Sequence, residues 1–317
     1  MTLEGPNENG GIALVVDAHV HIFMPGMVPK LYEEGCARTM AAAAGRALGV
    51  KLSLEQALGL FPLDNDGELY LGLADEAGID KAVLFGVDFG EEIGEPEIPI
   101  FEMNRRYADM VKAHPDRFVA LCAIDPRRKG AMEHITRCIE EWGMRGVKLH
   151  PSAGFNPMDP VMYPVYEKCA EWDLPLLFHS GGQPAAPVVL ETARPVYVAE
   201  AAGRFPDTRF ILAHFGMDWW PEALMFGRLL PNLYFDCSYW QLLFGAHSEE
   251  YYGILRRFMD DCGAEKVLWG TDTPLPNVLV PPKEWVDIHV NPRTEISFSK
   301  EEIEKIMDTN SREMFKL

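Results

Sequence analysis

Eight short runs made mostly of Val, Ile, Leu and Phe punctuate the chain, at 12–21, 82–87, 118–124, 146–150, 175–179, 209–214, 232–237 and 266–272. Strands so uniformly apolar are buried on both faces, which is how parallel strands under crossover helices read. Most stretches between the runs look helical and carry helix punctuation. Asp159 and Pro160 predict an N-cap and a first-turn proline for a helix over 161–172. Ser299 and Glu302 predict a capping box for a last helix over 300–315. Gly78, Gly143 and Gly263 each follow a helical stretch and precede a strand, where a helix end calls for the left-handed conformation. Repeated helix–glycine–strand units with eight strands predict an α/β fold, a (β/α)8 TIM barrel, over a doubly wound sheet.

The connection after the first run is long, roughly 50 residues, and unstructured loops of that size are unusual in compact domains. It contains Ala-rich 37–48 and the apolar 52–60, so a helical flap over 30–66, inserted above the barrel mouth, is expected. The polar, Gly- and Asn-rich segment 1–11 reads as a flexible N-terminal segment, and 12–317 as one domain.

Charge narrows the partners. The 317 residues hold 29 basic and 48 acidic side chains, a net charge of −19. Nucleic acid and anionic membranes need a basic footprint, and neither is an expected partner. Segment 1–11 has no Lys or Arg and does not read as a signal peptide, and the apolar runs are strand-sized rather than membrane-spanning. The six cysteines are scattered, with no C-x-x-C pair, and read as reduced, mostly buried thiols. The expectation is a cytoplasmic protein acting on a small molecule, with a homodimer left open.

The nine histidines are the most informative residues. His19 and His21 end the first run, and alternation puts them on one face. His150 ends the fourth run, His179 the fifth, His214 the sixth, and Asp272 the eighth. In a barrel all these strand ends converge on one face, where catalytic loops collect. A lone histidine usually packs as a core residue; four strands ending in metal-competent side chains point to a shared site. Imidazoles with one carboxylate suit zinc, manganese or iron better than magnesium or calcium. Three histidines and an aspartate leave a position open for water, which a divalent ion activates at neutral pH. His114, His134, His247 and His289 read as surface residues. Position alone does not separate the role of His214 from that of His179.

Longer motifs carry a resemblance. They are D-A-H-V-H from Asp17, H-P-D-R-F from His114, F-P-D-T-R-F-I-L-A-H-F-G from Phe205, P-N-L-Y-F-D-C-S from Pro231, W-G-T-D-T-P from Trp269, and Asn310 in the closing helix. On these the chain resembles the amidohydrolase superfamily. Within it, the chain is similar to the amidohydrolase 2 family related to aminocarboxymuconate-semialdehyde decarboxylase, from about residue 14 to 317. The resemblance implies that His19, His21, His179 and Asp272 ligate one divalent transition metal, zinc first, with manganese or iron as substitutes. Asp272 would also take a proton from the bound water, and His214 would act as an acid/base or polarise the substrate oxygen. Lys148 lies two before His150, so both face inward. In binuclear relatives a lysine in similar context is carboxylated and bridges two metals; the expectation here is an unmodified lysine that binds substrate, with one metal. His150, Phe23 and Trp219 are further candidates for contact with substrate, with Trp220, Tyr239 and Trp240 near the mouth, and Arg38 or Arg46 as outlying positive charge.

Three functions are consistent with this set. The leading one is metal-dependent hydrolysis of a small-molecule amide, lactone or ester. The second is non-oxidative decarboxylation of an aromatic or unsaturated carboxylic acid. The third is a non-catalytic metal-binding or scaffold protein, which the intact ligand set disfavours.

Overall fold

The computed structural model describes residues 14–183 and 188–317; segment 1–11 lies outside them. Nine parallel strands follow one another in chain order: β1 Val16–Val20, β2 Lys81–Leu84, β3 Phe118–Ala120, β4 Cys122–Ala123, β5 Val147–Leu149, β6 Leu176–Phe178, β7 Phe210–Leu212, β8 Leu233–Asp236 and β9 Val267–Leu268. They make eight staves rather than nine. The third apolar run divides at Leu121, whose N–H donates to Leu84 on one side, while the next N–H, of Cys122, donates to Gly146 on the other. That stave therefore bonds β2 with its first half and β5 with its second. The circle closes between β9 and β1. Ala18 N–H donates to Trp269 O at 3.0 Å, Asp272 N–H to His19 O at 2.8 Å, and His21 N–H to Thr273 O at 2.8 Å. The protein is an α/β TIM barrel.

Alternation sorts the strand residues into two apolar layers. Ala18, Val83, Leu121, Leu177, Ile211 and Leu268 form an inner cluster, joined by Met314 and Phe315 of the closing helix. Their neighbours, such as Leu84, Cys122, Leu149, Phe178 and Phe235, belong to the larger layer shared with the helices. One irregularity matters for the site. Between Asp17 and Val20, β1 has one residue more than β2 opposite it, a bulge, and His19 sits inside it.

Helices Lys30–Leu48 and Leu54–Gly59 occupy the long connection after β1, before the crossover helix Glu68–Ala77. Ser53 and Gln56 form a capping box at the head of the second. Lys30–Leu48 packs on the turn Leu275–Val278 that follows β9. Ser299 and Glu302 form the expected box, and the helix they start runs through a π turn at Lys305–Thr309 into Asn310–Phe315.

Some local expectations fail for identifiable reasons. Asp159 is not a side-chain cap: its carboxylate accepts from Asn156 N–H at 2.8 Å, and a 3-10 turn, Pro160–Met162, precedes the helix Tyr163–Trp172. Gly78 and Gly143 are left-handed at φ 71°, whereas Gly263, at φ 101° and ψ 135°, also has positive φ but lies outside the left-handed helical well. His134 and His289 are buried, not on the surface. His134 lies on the inner face of Ala131–Glu140, 3.1 Å from Asn104 Nδ2, and stacks on Phe101. His289 meets the Tyr251 hydroxyl at 2.6 Å and Trp285 O at 2.7 Å. His114 is half-buried and His247 exposed. All six cysteines are free thiols, five buried and Cys262 half-buried. Among the described residues no helix is long and apolar enough to cross a membrane.

Candidate metal centre

The strand ends bring the expected side chains into one buried cluster. His19 and His21 converge through their Nε2 atoms on a single oxygen, Asp272 Oδ1, at 3.1 and 3.3 Å. The far sides of both rings are fixed. His19 Nδ1 lies 2.9 Å from Asp236 Oδ2, and His21 Nδ1 donates to Phe85 O at 3.0 Å. That bond leaves the Nε2 of His21 without a proton, as a metal ligand requires. His179 completes the arc, its ring 5.1 Å from that of His214 and 5.5 Å from that of His150. Its Nε2 is buried without a hydrogen-bond partner. A buried nitrogen left unpaired costs free energy unless something binds it.

His21, His150, His179, His214 and Asp272 surround a space of about 20 Å³, with Tyr32, Gly182, Gln183, Tyr239 and Leu275. That is room for a single ion or water. Three of the donors fit a divalent transition metal as they stand: the ligand atoms of His19, His21 and Asp272 lie within 4.8 Å of one another, all buried, while His179 is outside that set and lines the adjoining space.

His214 and Asp272 reach the space by unusual backbone, with φ of 59° and 55°. Positive φ in a non-glycine residue is uncommon and clusters at functional sites. His214 is pinned at several atoms. Its N–H donates to Asp236 Oδ1 at 2.9 Å, and Trp240 Nε1–H donates to its carbonyl at 2.9 Å. The Ser238 hydroxyl donates to Asp236 Oδ1 at 2.6 Å, so its oxygen accepts from His214 Nδ1–H at 2.9 Å. His214 is thereby a Nδ1–H tautomer with a free lone pair on Nε2.

Electrostatics favour neutral rings beside ionised carboxylates. Burial pushes His150 and His179 well below the usual imidazole range and His214 down to about 4. Burial also lowers His21. His19 differs: burial and Lys148 push it down, but Asp236 and Asp272 outweigh them and raise it. Burial alone would raise Asp272, yet His19 and His21 hold it well below the carboxylate range. Lys148 is fully buried, its Nζ 3.3 Å from His19 Nε2 and above the Phe85 ring. Burial lowers its pKa to about 8, against the pull of Asp236 and Asp272.

Phe23 stacks on His21 with the ring planes 5° apart. Trp219, expected at the pocket, does not line it. Four consecutive positive-φ residues, His214 to Met217, redirect the chain, and Trp219 sits half-buried at the head of Trp220–Gly227. Arg38 and Arg46 are exposed and line no part of this space. Two participants were missed. Asp236 ends β8, one residue before the end of the seventh apolar run, and the strand-end signal that marked Asp272 would have found it. Tyr32 comes from the connection after β1, where nothing in the sequence singled it out.

A closed parallel barrel with imidazoles and carboxylates gathered at its strand ends defines a barrel enzyme with a metal-competent centre. The chain belongs to the amidohydrolase family, whose model matches residues 16–317. Among relatives, it is 24% identical over 275 residues to a 2-keto-4-carboxy-3-hexenedioate hydratase from Sphingobium, covering 72% of this chain and 77% of that one. Over 79 residues, 24% of this chain and 22% of the other, it is 27% identical to a 2-amino-3-carboxymuconate-6-semialdehyde decarboxylase from Dictyostelium discoideum. In structure it is similar to an uncharacterised TIM-barrel protein from Bordetella bronchiseptica, with TM-score 0.71, 21% identity and coverage of 95% and 98% of the two chains. It is also similar to 5-carboxyvanillate decarboxylase from Novosphingobium aromaticivorans, solved with manganese, with TM-score 0.70, 18% identity and full coverage of both chains.

Proposed function

We propose that this chain is a metal-dependent hydrolase that cleaves a small-molecule amide, lactone or ester with water. The observation that carries the reading is the convergence of His19 and His21 Nε2 on Asp272 Oδ1, with His179, whose Nε2 is unpartnered, on the same small space. His19, His21, His179 and Asp272 would hold one ion, zinc by donor chemistry, with manganese as the substitute the decarboxylase relative carries. Bound there, a divalent ion would activate water and polarise a carbonyl group.

The chain's own residues supply the rest. Asp272, kept ionised by its histidines, takes the proton of the attacking water and passes it to the leaving group. His214 presents an unprotonated Nε2 whose direction is set by Ser238, Asp236 and Trp240; it accepts a proton there and, once protonated, donates to the substrate oxygen. Lys148 remains an unmodified ammonium near neutral pH and offsets the negative charge that develops on the substrate. His150 and Phe23 border the substrate.

Decarboxylation is the second reading, favoured by the decarboxylases among the relatives. The two reactions part in isotope-labelled water. Hydrolysis in ¹⁸O water puts one label in the product carboxyl group and yields no carbon dioxide. Carbon dioxide release with solvent deuterium on the product carbon would transfer the assignment to decarboxylation.

A further inference from the structure

A second, much larger cavity opens beside the metal centre. Its volume is about 650 Å³, within the range of small-molecule sites, and His21 lines both spaces. Protein interiors rarely leave voids much larger than a water molecule. The wall is apolar, with Phe23 next to His21, Met40 and Ala44 from Lys30–Leu48, Leu69 and Leu73 from Glu68–Ala77, and Val278 beyond β9. Leu60 and Leu69, also on the wall, are 62% and 64% exposed, so an apolar rim faces solvent where such side chains are otherwise disfavoured.

Several of the polar groups on this wall are occupied. The Asp64 carboxylate accepts from Gly67 N–H and Tyr70 N–H, and the Tyr70 hydroxyl donates to Asp17. The acidic side chains present are Asp64, Glu68 and Glu76, and no Lys or Arg is among the lining residues. A carboxylate placed here would be desolvated without a cation and close to like charge.

We infer that the substrate is a neutral carbonyl compound carrying a hydrocarbon chain or ring, with its carbonyl at the metal centre and its apolar part in this cavity. This rests on the hydrolase reading for the carbonyl end, while the cavity is tested by binding alone. Burial of each methylene, worth about 0.8 kcal/mol, should tighten binding about fourfold.

The test uses the protein as purified, with methyl n-alkyl ketones from propyl to nonyl displacing the neutral fluorophore N-phenyl-naphthylamine. Affinity should rise with each methylene until the cavity is filled, and a methyl ketone that carries a carboxylate at the far end of its chain should bind more weakly than the uncharged ketone of equal length. Ala44→Trp should weaken the nonyl ketone at least tenfold and leave the propyl ketone unchanged. Ala41→Trp, at a half-buried lining position, gives the same result if the first variant does not fold. A flat chain-length series, tryptophan variants without effect, or tighter binding of the ketone with the far-end carboxylate would overturn the inference. Metal content of the same samples reports separately on the hydrolase reading, since a metal-free protein that still shows the chain-length series would sink that reading alone.

Discussion

His19 is held from both sides of its ring, by Asp236 at Nδ1 and by Asp272 at Nε2, and this two-sided grip decides what single substitutions should do. Asp236→Asn keeps the size of the side chain but removes the charge that orients His19, and carboxylates behind a ligating histidine typically contribute 10- to 100-fold in affinity. We expect weaker metal binding of roughly that size, read by competition with a chromophoric chelator; unchanged affinity would remove Asp236 from the centre. His179 and His214 should separate cleanly. His179→Ala exposes the position of an unpartnered nitrogen and should lose both metal and activity. His214→Ala should retain the metal while activity falls roughly 10²- to 10⁴-fold, the usual size of an acid/base contribution. Equal metal loss in the two would make His214 a ligand. His179 follows directly on β6, so strand alternation makes its direction readable, whereas His19 sits in a bulge and Asp272 turns in at positive φ, and for these only the place at a strand end is readable from sequence. Asp236 was overlooked because its importance lies in a bond to a residue more than two hundred positions away.

At the scale of elements, β1 and the chain after β9 approach so closely that only glycine fits at the contact. A Cβ on Gly270 would lie 2.8 Å from His19 Cβ and 3.1 Å from His19 N. Gly270→Ala should therefore cost about 1–3 kcal/mol of stability as overpacking and displace His19 from its partners. Urea unfolding with metal analysis checks both, and a fully stable, metal-replete variant would count against the close contact. Helix Pro282–Val290 predicts an acid sensitivity. Burial lowers His289 to about 4, from 6.5 in an unfolded chain. Between those values the unfolded chain holds more protons than the native one, so stability should fall as pH drops from about 6.5 to about 4, by up to about 3 kcal/mol. Other buried histidines add to the slope with the same sign, so His289→Leu should reduce it by about one proton in denaturant titrations; an unaltered slope would assign it wholly elsewhere. The helical histidines were misread because burial of a helix face depends on partners from distant elements. Asn104, Tyr251 and Trp269 do not announce themselves in the local pattern around His134 or His289.

For the molecule as a whole, the barrel was legible because eight doubly buried strands leave few alternatives, whereas the large cavity was not, since it exists only where separate segments fail to fill the space between them. The net charge of −19 bears on what can approach. A field of this sign slows anionic molecules and leaves neutral ones untouched, and salt screens it with a length of about 8 Å near physiological ionic strength. With a neutral substrate, kcat/KM should stay flat as salt is raised to that level; a marked rise would point to an anionic substrate. The division of labour between the strand ends and the connection after β1 has a consequence for how such a protein can change. The residues proposed to hold the ion sit at the strand ends, but Tyr32, Met40 and Ala44 belong to a single excursion of the chain before the crossover helix Glu68–Ala77. Descendants could exchange that excursion, or alter its length, and acquire a different appetite while inheriting the same chemical engine intact.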